Sequence, residues 1–241
     1  MSTLKAHNIE PATGTDVALG AAGDSITVSG DSLKMNTFKD AGGNTLFTSD
    51  GSGTLSSINS NLRGGPIFIS SQTASDSASI SFTSGIDSTY DKYMFVFVNL
   101  NPASDGPQFG FQANAVGASG YNETMTTANF TSYHTPSDSH ANFAGQHGAD
   151  QAQGTALQPL CEGVSYDADH SASGILYVFN PSSTAVVKHF YSAIQMVGSW
   201  NEMFATQRVA GYFNTTTAID DIQFKMTSGN FDGTIKMYGV A

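Results

Sequence analysis

The sequence predicts an all-β chain in two parts, a short β-rich stem over residues 1–64 and an antiparallel β-sandwich of jelly-roll type over residues 65–241. Three observations carry this. A phrase is doubled, Gly23-Asp24-Ser25-Ile26-Thr27-Val28 and then Gly30-Asp31-Ser32-Leu33-Lys34-Met35. The seven-residue step leaves room for a turn and a strand of about three residues, whose apolar side chains only stacked neighbours can cover. Beyond residue 65, at least seven runs of alternating or wholly apolar residues follow one another without a helical interlude. Charged residues make up only 12% of the chain, and glycine, serine, threonine, asparagine and aspartate fill much of the remainder, which is turn-rich usage.

In the stem, glycines at 14, 20, 23, 30, 42, 43, 51 and 53 separate pieces such as Val17-Ala18-Leu19, Ile26-Thr27-Val28 and Leu46-Phe47, each too short for a helix. Asp24 and Asp31 follow glycines as Asx turns favour, so their side chains cap turn backbone and do not hold calcium. Leu55-Ser56-Ser57-Ile58-Asn59-Ser60-Asn61-Leu62 has the apolar spacing of one or two helical turns or of a coiled neck, and Gly64-Gly65-Pro66 then breaks the chain at the boundary.

In the larger part, Pro66-Ile67-Phe68-Ile69 and Ala78-Ser79-Ile80-Ser81-Phe82 alternate, and residues 93–100 are apolar on both faces, as a central strand is. Phe109 and Phe111 share a face, and further strands cover 175–179 and 186–196. The last two, 222–226 and 235–238, point Ile222, Phe224, Met226, Ile235 and Met237 inward; the turn at Asp232-Gly233 is expected to join them as a hairpin. Residues 114–172 lack clean alternation, so they are expected to be long loops carrying the binding surface, with a short helix within 141–157.

The charge balance, 9 Lys and Arg against 20 Asp and Glu for a net charge of -11, excludes several partners. Binding nucleic acid or an anionic membrane surface requires gathered positive charge, and no segment supplies it. Nor does any stretch approach the length of a membrane span. The lone Cys161 forms no intrachain disulfide and is expected to be buried.

His134, His140, His147 and His170 lie near Asp138, Asp150, Asp167 and Asp169, but no His-x-x-x-His or His-x-His spacing appears, so no metal or other cofactor is expected. Gly163-Val164-Ser165-Tyr166-Asp167 fails as a nucleophile elbow at its last residue, and no catalytic residue is assigned. Asp150, Glu162, Asp167 and Asp169 could supply the facing carboxylates of a polysaccharide depolymerase only if the fold paired them. The expectation is a protein that is not an enzyme. Recognition has better equipment: Tyr121, Tyr133, His134, Trp200 and Asn201 combine flat apolar faces with hydrogen-bonding groups, the means to stack on a sugar ring and bond its hydroxyls.

The opening Ile9-Glu10-Pro11-Ala12-Thr13-Gly14, the Gly-Asp-Ser-Ile-Thr-Val phrase, Ser88-Thr89-Tyr90-Asp91-Lys92-Tyr93 and the closing run from Ser228-Gly229-Asn230-Phe231-Asp232-Gly233 through Thr234-Ile235-Lys236-Met237-Tyr238-Gly239 resemble virion structural proteins of tailed bacteriophages, particularly marine ones. That resemblance implies a homotrimeric fibre or spike, made in the host cytoplasm and released by lysis as part of the virion. Its N-terminal segment would dock on other virion proteins of capsid or tail, and its distal β-domain would adsorb to host surface glycans. The alternative is a decoration protein that stabilises the capsid shell; a depolymerase comes third.

Overall fold

In a computed structural model, residues 36–52, 55–56, 58–59 and 65–240 are described. The chain divides into two compact units, Met1–Leu62 and Arg63–Ala241. The doubled Gly-Asp-Ser phrase and the opening run at residues 9–14 lie outside the described residues. Every regular element that is described is a β-strand, and the strands pair antiparallel.

The smaller unit contains β1 (Thr37–Lys39), β2 (Thr45–Ser49) and β3 (Leu55–Ser56), hydrogen-bonded in that order. Asp40 sets the β1–β2 turn: its Oδ1 accepts the Asn44 N–H at 2.8 Å, and those bonds from Asn44 hold its carboxyl below the usual range. Phe38 and Phe47 stack across the pair, centroids 5.2 Å apart. The helical turns expected from residue 55 are corrected at Leu55 and Ser56, which pair with Ser49 and Thr48. The turn at Asp50 and Gly51 (φ 81°) reverses the chain and lays those two residues along β2, whose free edge satisfies their backbone.

The larger unit is built from two sheets. The first contains β4 (Ile67–Ser77), β6 (Lys92–Pro102), β8 (Met125–His134), β9 (Ala141–Gly145), β10 (Ala152–Gly154), β12 (Ala172–Phe179), β13 (Lys188–Val197), β14 (Phe204–Phe213) and β16 (Phe231–Val240). Its order is β10-β8-β14-β13-β12-β6-β16-β4, with β9 also on β8. The second is four-stranded: β11 (Gln158–Cys161), β7 (Phe109–Ala115), β15 (Ile219–Met226) and β5 (Ile80–Phe82).

Phenylalanines join them. Phe224 of β15 lies 5.2 Å, centroid to centroid, from both Phe95 and Phe97 of β6, and Phe111 of β7 lies 5.0 Å from Phe190 of β13. All five are buried. Burial of this kind stabilises by roughly 25 cal/mol per Å² of apolar surface, and edge-to-face ring pairs add to it. Cys161 is buried as expected, which pushes its thiol up to about 12.

Three expectations fail here, each for a physical reason. The expected hairpin between 222–226 and 235–238 does not form, because β15 and β16 belong to different sheets and residues 227–230 carry the chain across the core. Asp232-Gly233 is instead a bulge inside β16: the register shifts there, and Gly233 (φ 135°) brings its backbone to Leu100, where a Cβ would meet the Asn99 oxygen at 2.8 Å. The helix expected within 141–157 is replaced by β9 and β10, which satisfy their backbone on the two halves of β8. Nor is 114–172 an unbroken irregular segment, since β8, β9, β10 and β11 divide its loops.

Strand β8 explains why alternation was hidden. Its inward positions are Met125, Thr127, Asn129 and Thr131, all buried, whereas Phe130 faces out at 41% exposure. The pattern is inverted, polar in and aromatic out, and it continues onto β14, where Gln207 is buried opposite Thr131.

Candidate functional site

That inward polar layer has two halves with different fates. In one half most groups find partners, Gln151 Oε1 and Asp150 Oδ1 being the exceptions. Gln112 Nε2 donates to the Glu123, Thr155 and Ala156 carbonyls, Thr127 Oγ1 donates to Gln158 Oε1 at 2.8 Å, and Gln158 Nε2 donates to the Ala149 and Pro159 carbonyls. This network fixes the start of β8 against β7 and β11, as buried polar groups require.

In the other half the partners are missing. Among the described residues, Asn129 has neither amide atom bonded, and Thr131 Oγ1, Ser192 Oγ and Gln207 Nε2 are also buried without a partner. Two of these, Thr131 and Gln207, line a cavity of about 160 Å³ together with Tyr133, Gln146, Glu162, Met196, Trp200 and Met203. A buried, unpaired polar group costs about 1–3 kcal/mol, so the two behind this cavity make it the least satisfied part of the layer.

The cavity is held by specific backbone contacts. Gln207 Oε1 accepts the Glu162 N–H at 3.0 Å, which fixes the amide and turns its Nε2 away from that bond. Glu162 follows β11 directly, and its half-buried carboxyl is raised above the ordinary range by desolvation. Among the described residues it has no cation or hydrogen-bond donor against the carboxylate.

Trp200 stands on the β13–β14 hairpin. The Met203 N–H closes the turn on the Trp200 carbonyl at 3.2 Å, and Asn201 (φ 53°) and Glu202 (φ 49°) are both left-handed, the conformation of a type I′ turn. Gly198 N donates to the Met203 carbonyl and Ser199 N to the Gly163 carbonyl, both at 2.8 Å, tying this hairpin to the residue after Glu162. Trp200 remains 47% exposed, with Tyr133 perpendicular to it at 6.0 Å and the His140 ring at 5.1 Å. An exposed indole beside a cavity lined in part by Gln146 and Glu162 can stack on a small polar ring and bond its substituents.

No family model, curated protein or solved structure matches this chain. The site therefore rests on its own geometry.

Of the residues singled out in the sequence, the fold brings Tyr133 and Trp200 together at the cavity. Asn201 sits beside them in the turn, but as its left-handed residue, and it is not part of the lining. Strand alternation points His134 to the opposite face from Tyr133, where its Nε2 lies 2.9 Å from Asp138 Oδ1. Tyr121 lies before β8 in a turn capped by Asn114 Oδ1, away from the cavity. The sequence offered no signal for Thr131, Gln207, Met196 and Met203, because an inward amide and an outward one are spelled alike.

The histidine and aspartate residues form local pairs, and no three His, Cys, Asp or Glu converge as metal ligands among the described residues. A second cavity of about 240 Å³ lies against Asn99, Asn101, Asp169 and His170. There Ser165 Oγ is 2.9 Å from His170 Nδ1, but Ser165 is buried and absent from the lining, and Asn101 Nδ2 spans the Asp167 and His170 carbonyls at 2.9 and 2.8 Å. Those groups satisfy one another and brace a loop.

Proposed function

We propose that this chain is a structural protein of a tailed-phage virion, a short trimeric fibre or spike fixed to the particle by its N-terminal segment, whose larger unit adsorbs to host surface glycans. The observation that carries the recognition half is the cavity lined by Trp200 and Tyr133 together with Gln146 and Glu162. Sugar rings offer an apolar C–H face for the indole and hydroxyls for the polar side chains. The larger unit is read as jelly-roll-like, because its chain passes repeatedly from one sheet to the other: β4 to β5, β5 to β6, β6 to β7, β7 to β8.

Self-association draws support from the outer face of the nine-stranded sheet. Phe68, Phe130, Phe143, Phe179 and Phe204, from 39% to 68% exposed, all lie on it, with Met94, Val96 and Ile175 between them. Antiparallel sheets usually turn polar residues to water, so a face of this composition is suited to burial against another protein surface. The same face favours the second reading, a decoration protein packed on the capsid lattice.

A glycan array probed with the full chain and with Trp200→Ala tests the proposal. Binding that Trp200→Ala abolishes is expected; a blank array, with particles lacking the protein losing heat resistance, would replace adsorption with decoration. Sedimentation tests the trimer separately, and a monomer would refute it.

A further inference from the structure

We infer that the cavity beside Trp200 takes a sugar ring carrying a positively charged amine, an amino sugar, with Glu162 as the counter-charge. This rests on the glycan reading above and narrows it to one ligand class. Among the described residues the cavity is lined by one charged side chain, Glu162, and by no Lys or Arg. Tyr133, Trp200, Met196 and Met203 complete the walls with π faces and thioethers, surfaces that attract cations. An anionic ligand would meet this carboxylate in a protein of net charge -11.

A neutral ring fits less well. Its hydroxyls can donate to Glu162, whereas a ring-borne ammonium supplies donors and the opposite charge together as the carboxylate loses solvent. Burial already raises the Glu162 carboxyl, so the empty site carries part of that cost before anything binds. The rest of the lining is polar: Gln146, Thr131 and Gln207 border the cavity, with Thr131 Oγ1 and Gln207 Nε2 themselves buried beneath its surface. Ring hydroxyls beside an ammonium suit such a lining. At about 160 Å³ the cavity has room for one ring, so recognition is of a terminal or side-branch residue.

The test compares glucosamine oligomers with the same oligomers N-acetylated, by calorimetry on the full chain at physiological salt. The pair shares ring and length and differs in charge. Binding of the free-amine form at least tenfold tighter is expected, with Glu162→Gln collapsing that ratio to near one while its thermal midpoint is not lowered. Equal binding of the two forms overturns the amino-sugar inference and leaves the glycan reading standing. A preference that survives Glu162→Gln also overturns it, since the overall negative charge then explains the effect. Binding of neither form, together with a blank array, overturns both readings.

Discussion

Replacing Phe224 with alanine tests whether the two sheets share one core. Phe224 lies within 6.3 Å, centroid to centroid, of Phe82, Phe95, Phe97, Phe109 and Phe111, so it touches its own sheet through β5 and β7 and the opposite sheet through β6. Loss of the buried ring forfeits a transfer term of about 2.5 kcal/mol. If half of the roughly 100 Å³ vacated persists as a cavity, about 24 cal/mol per Å³ adds ~1.2 kcal/mol, for a total near 4. For a unit of this size that lowers the thermal midpoint by about 8–16 °C. Far-UV circular dichroism through a urea titration is the suitable assay, because the single tryptophan sits in an exposed turn and reports the core poorly. Val116→Ala, at a 55% exposed residue after β7 and away from the outer face of the nine-stranded sheet, serves as the control and is expected to stay within about 0.5 kcal/mol. A loss below about 2 kcal/mol for Phe224→Ala would refute a common core, since a ring packed against one sheet only leaves a gap that can collapse.

Gly174→Ala is expected to destabilise strongly, because a Cβ there meets the Ala193 oxygen at 2.3 Å and the Ile194 Cα at 2.7 Å and forces β12 from β13; a urea midpoint equal to that of the parent protein refutes the register. Glu202→Gly is expected to stabilise by about 1 kcal/mol by relieving a left-handed non-glycine residue, measured as a rise in thermal midpoint. Cys161 supplies a pH test. Its folded pKa of about 12 exceeds the ordinary 9.0, so its contribution is complete below pH 9 and is lost as pH rises toward 12. Tyr93, pushed up to about 12 by burial, acts in the same direction from pH 10. Buried Lys188, whose pKa desolvation lowers, acts oppositely, so the comparison of Cys161→Ala with the parent isolates the thiol: the variant's stability should fall less steeply above pH 9, and parallel curves would refute the assignment.

The all-β, antiparallel character was legible because strands such as β6, β15 and β16 carry aromatic and β-branched side chains in register with the pleat, which is a local signal. Pairing was not legible to the same degree. The residues after Met226 contain glycine and asparagine and read as a hairpin, yet whether such a segment folds back in one sheet or crosses to the other depends on which core neighbours claim Phe224 and Ile235. That is a tertiary decision, made where Phe97 lies against the ring of Phe224 from the other sheet and pairs in register with Ile235 within its own.

The candidate site was hidden by the same inversion that creates it. A strand that turns Thr127, Asn129 and Thr131 inward and Phe130 outward violates the rule by which strands are recognised, so β8 reads as loop. It folds as a strand because β14 and β9 flank it and satisfy its backbone, while Gln112, Gln151 and Gln158 satisfy one end of its inward polar face. At the other end nothing does. A sequence under pressure only to be stable could replace Thr131 by valine at little cost, because isosteric apolar substitution of an unpaired buried group is neutral or favourable, whereas Gln207 already serves the fold by accepting the Glu162 N–H through Oε1. Thr131→Val tests this: it is expected to raise the unfolding midpoint, and a loss of stability would mean that the hydroxyl already serves the fold as well.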